Sequence, residues 1–123
     1  MWKIEIAEDV LSDLALIHDH LVESYVGFGE AAEDAMSRAH ERLMQIRARL
    51  RFDDLARLPF RGTLREEFGP DVRSLTMDRS VLWFEVIEAT RTVRILAVFF
   101  GSQDHIRHMY RRLLSRNVDD IRT

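Results

Sequence analysis

Four arginines, Arg61, Arg65, Arg73 and Arg79, fall within a short stretch of this chain, and His105 stands further on beside Asp104. A guanidinium offers a rigid fork of donors to a phosphate or a carboxylate. An imidazole is the side chain that exchanges a proton near neutral pH. Together they could form a basic rim for a nucleic-acid phosphate or an acidic protein, with His105 as an acid or base. A plainer arrangement competes. Arg61 and Arg65 can pair with Glu66, Glu67 or Asp71, which would add little stability on a surface, and His105 can be a structural or partner-contacting residue.

Other chemistries are excluded more firmly. His105 and His108 are three apart and share a helical face, but a metal site needs three or four ligands and no further ligand converges, so no metal is expected. Gly27-Phe28-Gly29-Glu30-Ala31-Ala32 has the letters of a dinucleotide fingerprint, yet it follows a helical pattern instead of a strand. It reads as a helix-to-helix connection. There is no phosphate-loop lysine motif and no nucleophile elbow. The chain contains no cysteine, which removes disulfides and thiolate metal sites. No cofactor is expected.

With 123 residues, the chain supports one domain burying about two-thirds of its unfolded surface. Apolar residues make up 46%, too many for disorder. No segment has the apolar length of a signal peptide or a membrane span, so a cytoplasmic location without membrane contact is expected. The net charge of −3 conceals an asymmetry. Residues 1–41 carry ten acids against Lys3 and Arg38, a balance of −8, whereas the remainder has sixteen arginines and eleven acids, a balance of +5. The acids read as the wet faces of helices; a polyanion would have to approach the other part of the chain.

The elements that must position these groups follow from periodicity. Trp2, Ile4 and Ile6 alternate as in a strand. Val10, Leu11, Leu14, Ile17, Leu21 and Tyr25 step by threes and fours, the spacing of a helix. After Gly27-Phe28-Gly29, a second stripe of Ala32, Ala35, Ala39, Leu43, Ile46 and Leu50 predicts another helix, its small residues allowing an antiparallel hairpin. Residues 51–70 hold both prolines and read as loop. Three strands follow, 72–77, 80–87 and 93–100, joined by turns too short for crossovers and therefore an antiparallel meander. Ser102 can cap a last helix carrying Ile106, Met109, Tyr110 and Leu113 on its inner side, with Asp104 in its first turn. The result is an α+β two-layer sandwich. The first strand's place in the sheet stays open.

This order of elements resembles the RelE/ParE toxin superfamily of type II toxin-antitoxin systems. The local stretches Ala7-Glu8-Asp9-Val10-Leu11-Ser12-Asp13-Leu14, Leu58-Pro59-Phe60-Arg61-Gly62 and Val72-Arg73-Ser74-Leu75 resemble its toxins, and so above all does Ile95-Leu96-Ala97-Val98-Phe99-Phe100-Gly101-Ser102-Gln103-Asp104-His105. The resemblance implies one toxin domain over 1–115 with a polar tail over 116–123. Its RelE-like members cut messenger RNA on the ribosome; its ParE-like members are associated with DNA gyrase. Strand register carries the RelE-type catalytic positions onto Arg73, Leu75, Val81, Gln103 and Met109, of which only Arg73 keeps a cation. A shift of one residue would offer Tyr110.

The resemblance is therefore closer to ParE-like members. It implies a plasmid-stabilization toxin that inhibits growth by binding gyrase, with a cognate antitoxin as partner and a homodimer left open. The target-binding set is Arg61, Arg65, Arg73, Arg79, Gln103 and His105, and the antitoxin-binding set is Trp83, Phe99 and Phe100. The alternatives are a ribosome-dependent mRNA endoribonuclease using Arg73, Arg79, His105 and Tyr110, and a non-toxic binding module on the same fold.

Overall fold

The computed structural model describes residues 1–49, 53–77, 79–101 and 104–122; for Arg49, Asp53 and residues 115–122 it describes the backbone alone. The chain runs β1 (Lys3–Ile6), α1 (Asp9–Gly27), α2 (Ala32–Arg49), α3 (Asp53–Arg57), β2 (Thr63–Leu64), β3 (Val72–Met77), β4 (Ser80–Ile87), β5 (Thr92–Phe100) and α4 (His105–Arg122). Single turns of 3-10 helix lie at Glu66–Phe68 and Glu88–Thr90. The expected strand, helical hairpin, antiparallel meander and C-terminal helix are all present.

In α1 the residues Val10, Leu14, Ile17 and Leu21 are buried, as their spacing predicts, and Asp9 lies in the first turn. The helix ends where the N–H of Phe28 donates to Ser24 and Tyr25 carbonyls and Gly29 turns the chain at φ +97°. In α2, Ala35 and Ala39 have no exposed surface, so α1 and α2 approach closely through them. Ala32, at the head of the expected stripe, is exposed, and Leu50 at its end lies outside the described residues.

The sheet order is β1-β5-β4-β3-β2, with β1 parallel to β5 and every other pairing antiparallel. A parallel neighbour needs a long crossover, and here the α1–α2 hairpin lies in it. One sheet face, with Leu82, Phe84, Val86, Val93, Ile95, Val98 and Phe100, packs on the hairpin. The other carries Val72, Trp83, Ala97 and Phe99 against Met109 and Ile106 of α4. Between them a bulge changes the register. Phe84 faces Ile95 and Trp83 faces Ala97, so Leu96 is left without a partner on β4, and Leu96 and Ala97 both join the α4 face.

Residues 51–70 differ from the expected loop. Leu55 and Ala56 of α3 are buried, and the Trp2 N–H donates to the Ala56 carbonyl, anchoring the segment to the N-terminus. Thr63–Leu64 adds a fifth strand to the four expected. Gly62 sets it against β3: at φ +79° a Cβ there would stand 2.4 Å from the Ser74 carbonyl oxygen. At the C-terminus the backbone of α4 stays helical to Arg122, through the segment expected as a tail. Asp104, expected inside the first turn, caps the helix instead: its Oδ1 accepts the Arg107 N–H at 3.2 Å. Ser102 lies outside the described residues.

The edge of β5 is closed in two ways. β1 pairs with it up to Ile95. Beyond that point the Val98 N–H donates to Asp13 Oδ2 at 3.0 Å, and Arg112 Nη1 donates to the Leu96 carbonyl at 3.1 Å. Arg112 also grips both oxygens of Asp13, bidentately, so α4, α1 and β5 meet at one buried ion pair. Asp13 is thus an exception to the acids read as wet faces; it is 4% exposed and lies on the apolar stripe.

Candidate functional site

Two regions at the margins of the core bring together groups able to recognise a ligand. The first is an aromatic corner at the start of α4. Trp83 Nε1–H donates to His105 Nδ1 at 3.1 Å, with the rings 5.5 Å apart. Phe68 packs edge-on to Trp83 at 4.9 Å and lies 4.5 Å from Tyr110. Arg65 Nε donates to Ser74 Oγ at 3.0 Å, and its guanidinium lies 5.6 Å over the Trp83 ring.

This corner constrains its histidine. Burial, and then the neighbouring Arg65 guanidinium, hold the His105 pKa below its ordinary value, while Asp104 pulls weakly the other way. Because Nδ1 accepts from Trp83, the neutral ring carries its proton on Nε2. The remaining nitrogen is therefore a donor. To act as a base it would have to exchange tautomers and lose the tryptophan bond.

The other arginines of the expected set are elsewhere. Arg73 stands opposite Phe84 on the hairpin face, pairs with Asp71 at 2.9 Å and lies 5.4 Å over Phe60. Leu75 packs with the same face, whereas Val81 and Met109 belong to the α4 face. Arg79 is at the far end of β3, where its carbonyl accepts the Gly101 N–H at 2.8 Å. Arg61 is exposed. His105, Tyr110 and Arg65 therefore share one corner, while Arg73 and Arg79 do not reach it, and Gln103 lies outside the described residues. Trp83 and Phe99 are buried, Phe99 beneath His108 at 5.4 Å and Arg112 at 5.5 Å.

The second region is a groove of about 930 Å³ between the hairpin and the end of the sheet. Leu21, Tyr25 and Phe100 supply apolar surface, and Arg38, Arg42 and Arg79 supply cations. Arg38 lies 4.4 Å over the Tyr25 ring and Arg42 5.9 Å over that of Phe100. Phe100 borders this groove, but at 9% exposed it is as buried as Phe99, at 8%, which faces α4. Sequence reasoning passed over Arg38 and Arg42; their spacing of four on α2, one turn apart, was the available signal.

Among the described residues no group of three or more histidine, aspartate or glutamate side chains converges as a metal site would require. No described helix is long and apolar enough to cross a membrane.

No family model matches the chain, and no curated protein matches it. Several solved chains are similar, among them the following two. A chain of the chromosomal ParDE TA system from P. aeruginosa aligns with TM-score 0.51 and 21% identity, over 83% of this chain and 98% of that one. The isolated E. coli RelE toxin aligns with TM-score 0.46 and 12% identity, over 94% of this chain and 98% of that one. The chain therefore has the fold seen in the ParDE system, as its resemblance to ParE-like members of the RelE/ParE superfamily implied.

Proposed function

We propose that this protein is the toxin of a type II toxin-antitoxin pair, that it acts by binding DNA gyrase without chemistry of its own, and that a cognate antitoxin neutralises it. The fold shared with a ParDE chain supports the toxin role and the antitoxin partner. One observation carries the non-catalytic reading: the cations and the proton carriers of the expected nuclease set lie on different faces and ends of the sheet. Cleavage of RNA at a 2′-hydroxyl needs a base for that proton, a cation at the phosphate and an acid for the leaving oxygen, all at one place. Arg73 faces the hairpin with Phe84, and His105 faces α4 with its acceptor nitrogen occupied by Trp83.

The test is supercoiling of relaxed plasmid by gyrase in the presence of purified protein. Inhibition that antitoxin reverses is the expected result; gyrase left fully active at excess protein overturns the reading. A second reading, a ribosome-dependent endoribonuclease, draws on the joint presence of Arg65, His105 and Tyr110 around Phe68 and Trp83. It predicts new cleavage ends in translated messages after induction. Loss of those ends in Tyr110→Phe would favour it over gyrase binding.

A further inference from the structure

Phe28 is 90% exposed. Its position is not that of a loose loop: the Phe28, Gly29 and Glu30 N–H groups all donate to carbonyls in the last turns of α1. The connection holds an aromatic ring in water, at the mouth of the groove that it lines with Tyr25 and Phe100. Burying such a ring against a partner takes its apolar surface out of water, which favours association. A tight hydrogen-bonded turn that maintains this exposure gives the groove an apolar anchor point.

The groove's charges supply the complement. Arg38 is paired with Glu30, and Arg42 makes its hydrogen bond to the neutral Gln45 at 3.1 Å. Arg42 and Arg79 have no carboxylate partner among the described residues, although Glu41 stands on the rim. A groove with a mainly cationic lining therefore opens where Tyr25 and Arg38 of the acidic part of the chain meet Arg42, Arg79 and Phe100 of the basic part. Glu41 on the rim and the apolar Phe28, Tyr25 and Phe100 suit a nucleic acid poorly, since it brings a charge with every nucleotide; this lining is mixed. It admits a ligand with a few carboxylates beside apolar side chains, which meet Arg42 and Arg79 while the apolar groups meet Phe28, Tyr25 and Phe100.

We infer that this groove is a docking site for an acidic, apolar-anchored peptide segment of a partner protein, with Arg42 and Arg79 receiving its carboxylates and Phe28 its apolar side chain. The inference goes beyond gyrase binding and stands without it. A library of short random peptides panned on the immobilised full chain tests it. Expected are selected sequences that place Asp or Glu beside Leu, Ile or Phe. A synthetic peptide of that sequence should bind about tenfold more weakly to the Arg42→Glu/Arg79→Glu double variant. It should also weaken between about 50 and about 200 mM salt, and Phe28→Ser should weaken it without changing the salt dependence.

Matching far-ultraviolet spectra and melting curves would show that both variants fold. Failure to select any peptide, selected peptides without acids, or equal binding to the double variant overturns the inference. So does displacement of the peptide by a single-stranded RNA oligomer that itself loses affinity for the double variant, since the groove would then be a nucleic-acid site. Loss of gyrase inhibition with peptide binding intact would sink the toxin target and leave the groove standing.

Discussion

The corner at Trp83 and the groove at Phe100 are built from the same residue types, arginines over aromatic rings with a histidine nearby, His105 in one and His20 in the other, and they are in opposite states. In the corner Arg65 donates to Ser74 and Trp83 donates to His105, both partners lying inside the protein. In the groove Arg42 and Arg79 have no carboxylate partner among the described residues, and the Phe28 ring stands in water. A guanidinium over a ring thus serves packing in one place and remains available in the other. What separates the two cases is whether α4 covers them.

The strongest way to break this contrast is to release α4. Asp13→Ala removes the bidentate partner of Arg112, leaving it, among the described carboxylates, only the 4.0 Å contact with Asp9, and takes the acceptor from the Val98 N–H. Removing one partner of a buried pair costs about 3–5 kcal/mol, so thermal unfolding should show a large fall in Tm. A melting temperature close to that of the parent would mean that the pair does not hold the helix. The double variant Asp13→Leu/Arg112→Leu should recover part of the loss, because no charge is then left buried alone.

Gly62→Ala should cost less, on the order of 1–3 kcal/mol, since it forces a Cβ toward the Ser74 carbonyl at a positive φ. Denaturant midpoints measure it, and an unchanged midpoint would show that β2 is not seated by that close approach.

Trp83→Phe keeps most of the ring contact and removes the donor to His105, a loss of about 1 kcal/mol. It also sharpens the account of the histidine. In the folded protein His105 titrates below its unfolded value, so the unfolded chain binds the proton more readily. Stability from this residue is present above about pH 6.5 and is lost as pH falls through the folded pKa. Arg65→Gln should raise the folded pKa toward the ordinary value and flatten that acid-side loss, read by NMR titration of the ring and by unfolding on either side of neutrality. A steeper loss in Arg65→Gln would contradict the electrostatic cause.

The smallest effects on stability belong to the groove. Phe28→Ser and Arg79→Glu should each stay within about 0.5 kcal/mol of the parent by melting curves, because neither side chain packs in the core. A marked loss in either would make it a structural residue and weaken its claim to be free for a partner.

The hairpin and meander were legible because their signals are local. Val10, Leu14, Ile17 and Leu21 recur at helical spacing and are buried together; the run from Ser80 to Ile87 is the central β4. The site was less legible because it depends on faces and register. Arg73 and His105 belong to one expected group, yet strand parity sends Arg73 to the hairpin side with Phe84. The bulge at Leu96 also places consecutive residues on one face, which simple alternation does not anticipate. Asp13 was read as a wet acid by composition, although its place between Val10 and Leu14 put it on the buried stripe.

The pairing of β1 with β5 sets the order in which this chain can be completed. Lys3 finds its neighbour only at Thr92 and Ile6 only at Ile95. During synthesis the hairpin emerges with its apolar stripe open, long before the strands that will cover it exist. Contacts between such distant parts of a chain form slowly, and the waiting intermediate is prone to self-association. Early engagement of the emerging hairpin by another protein would therefore improve the yield of folded molecules, whatever that protein does to the finished one.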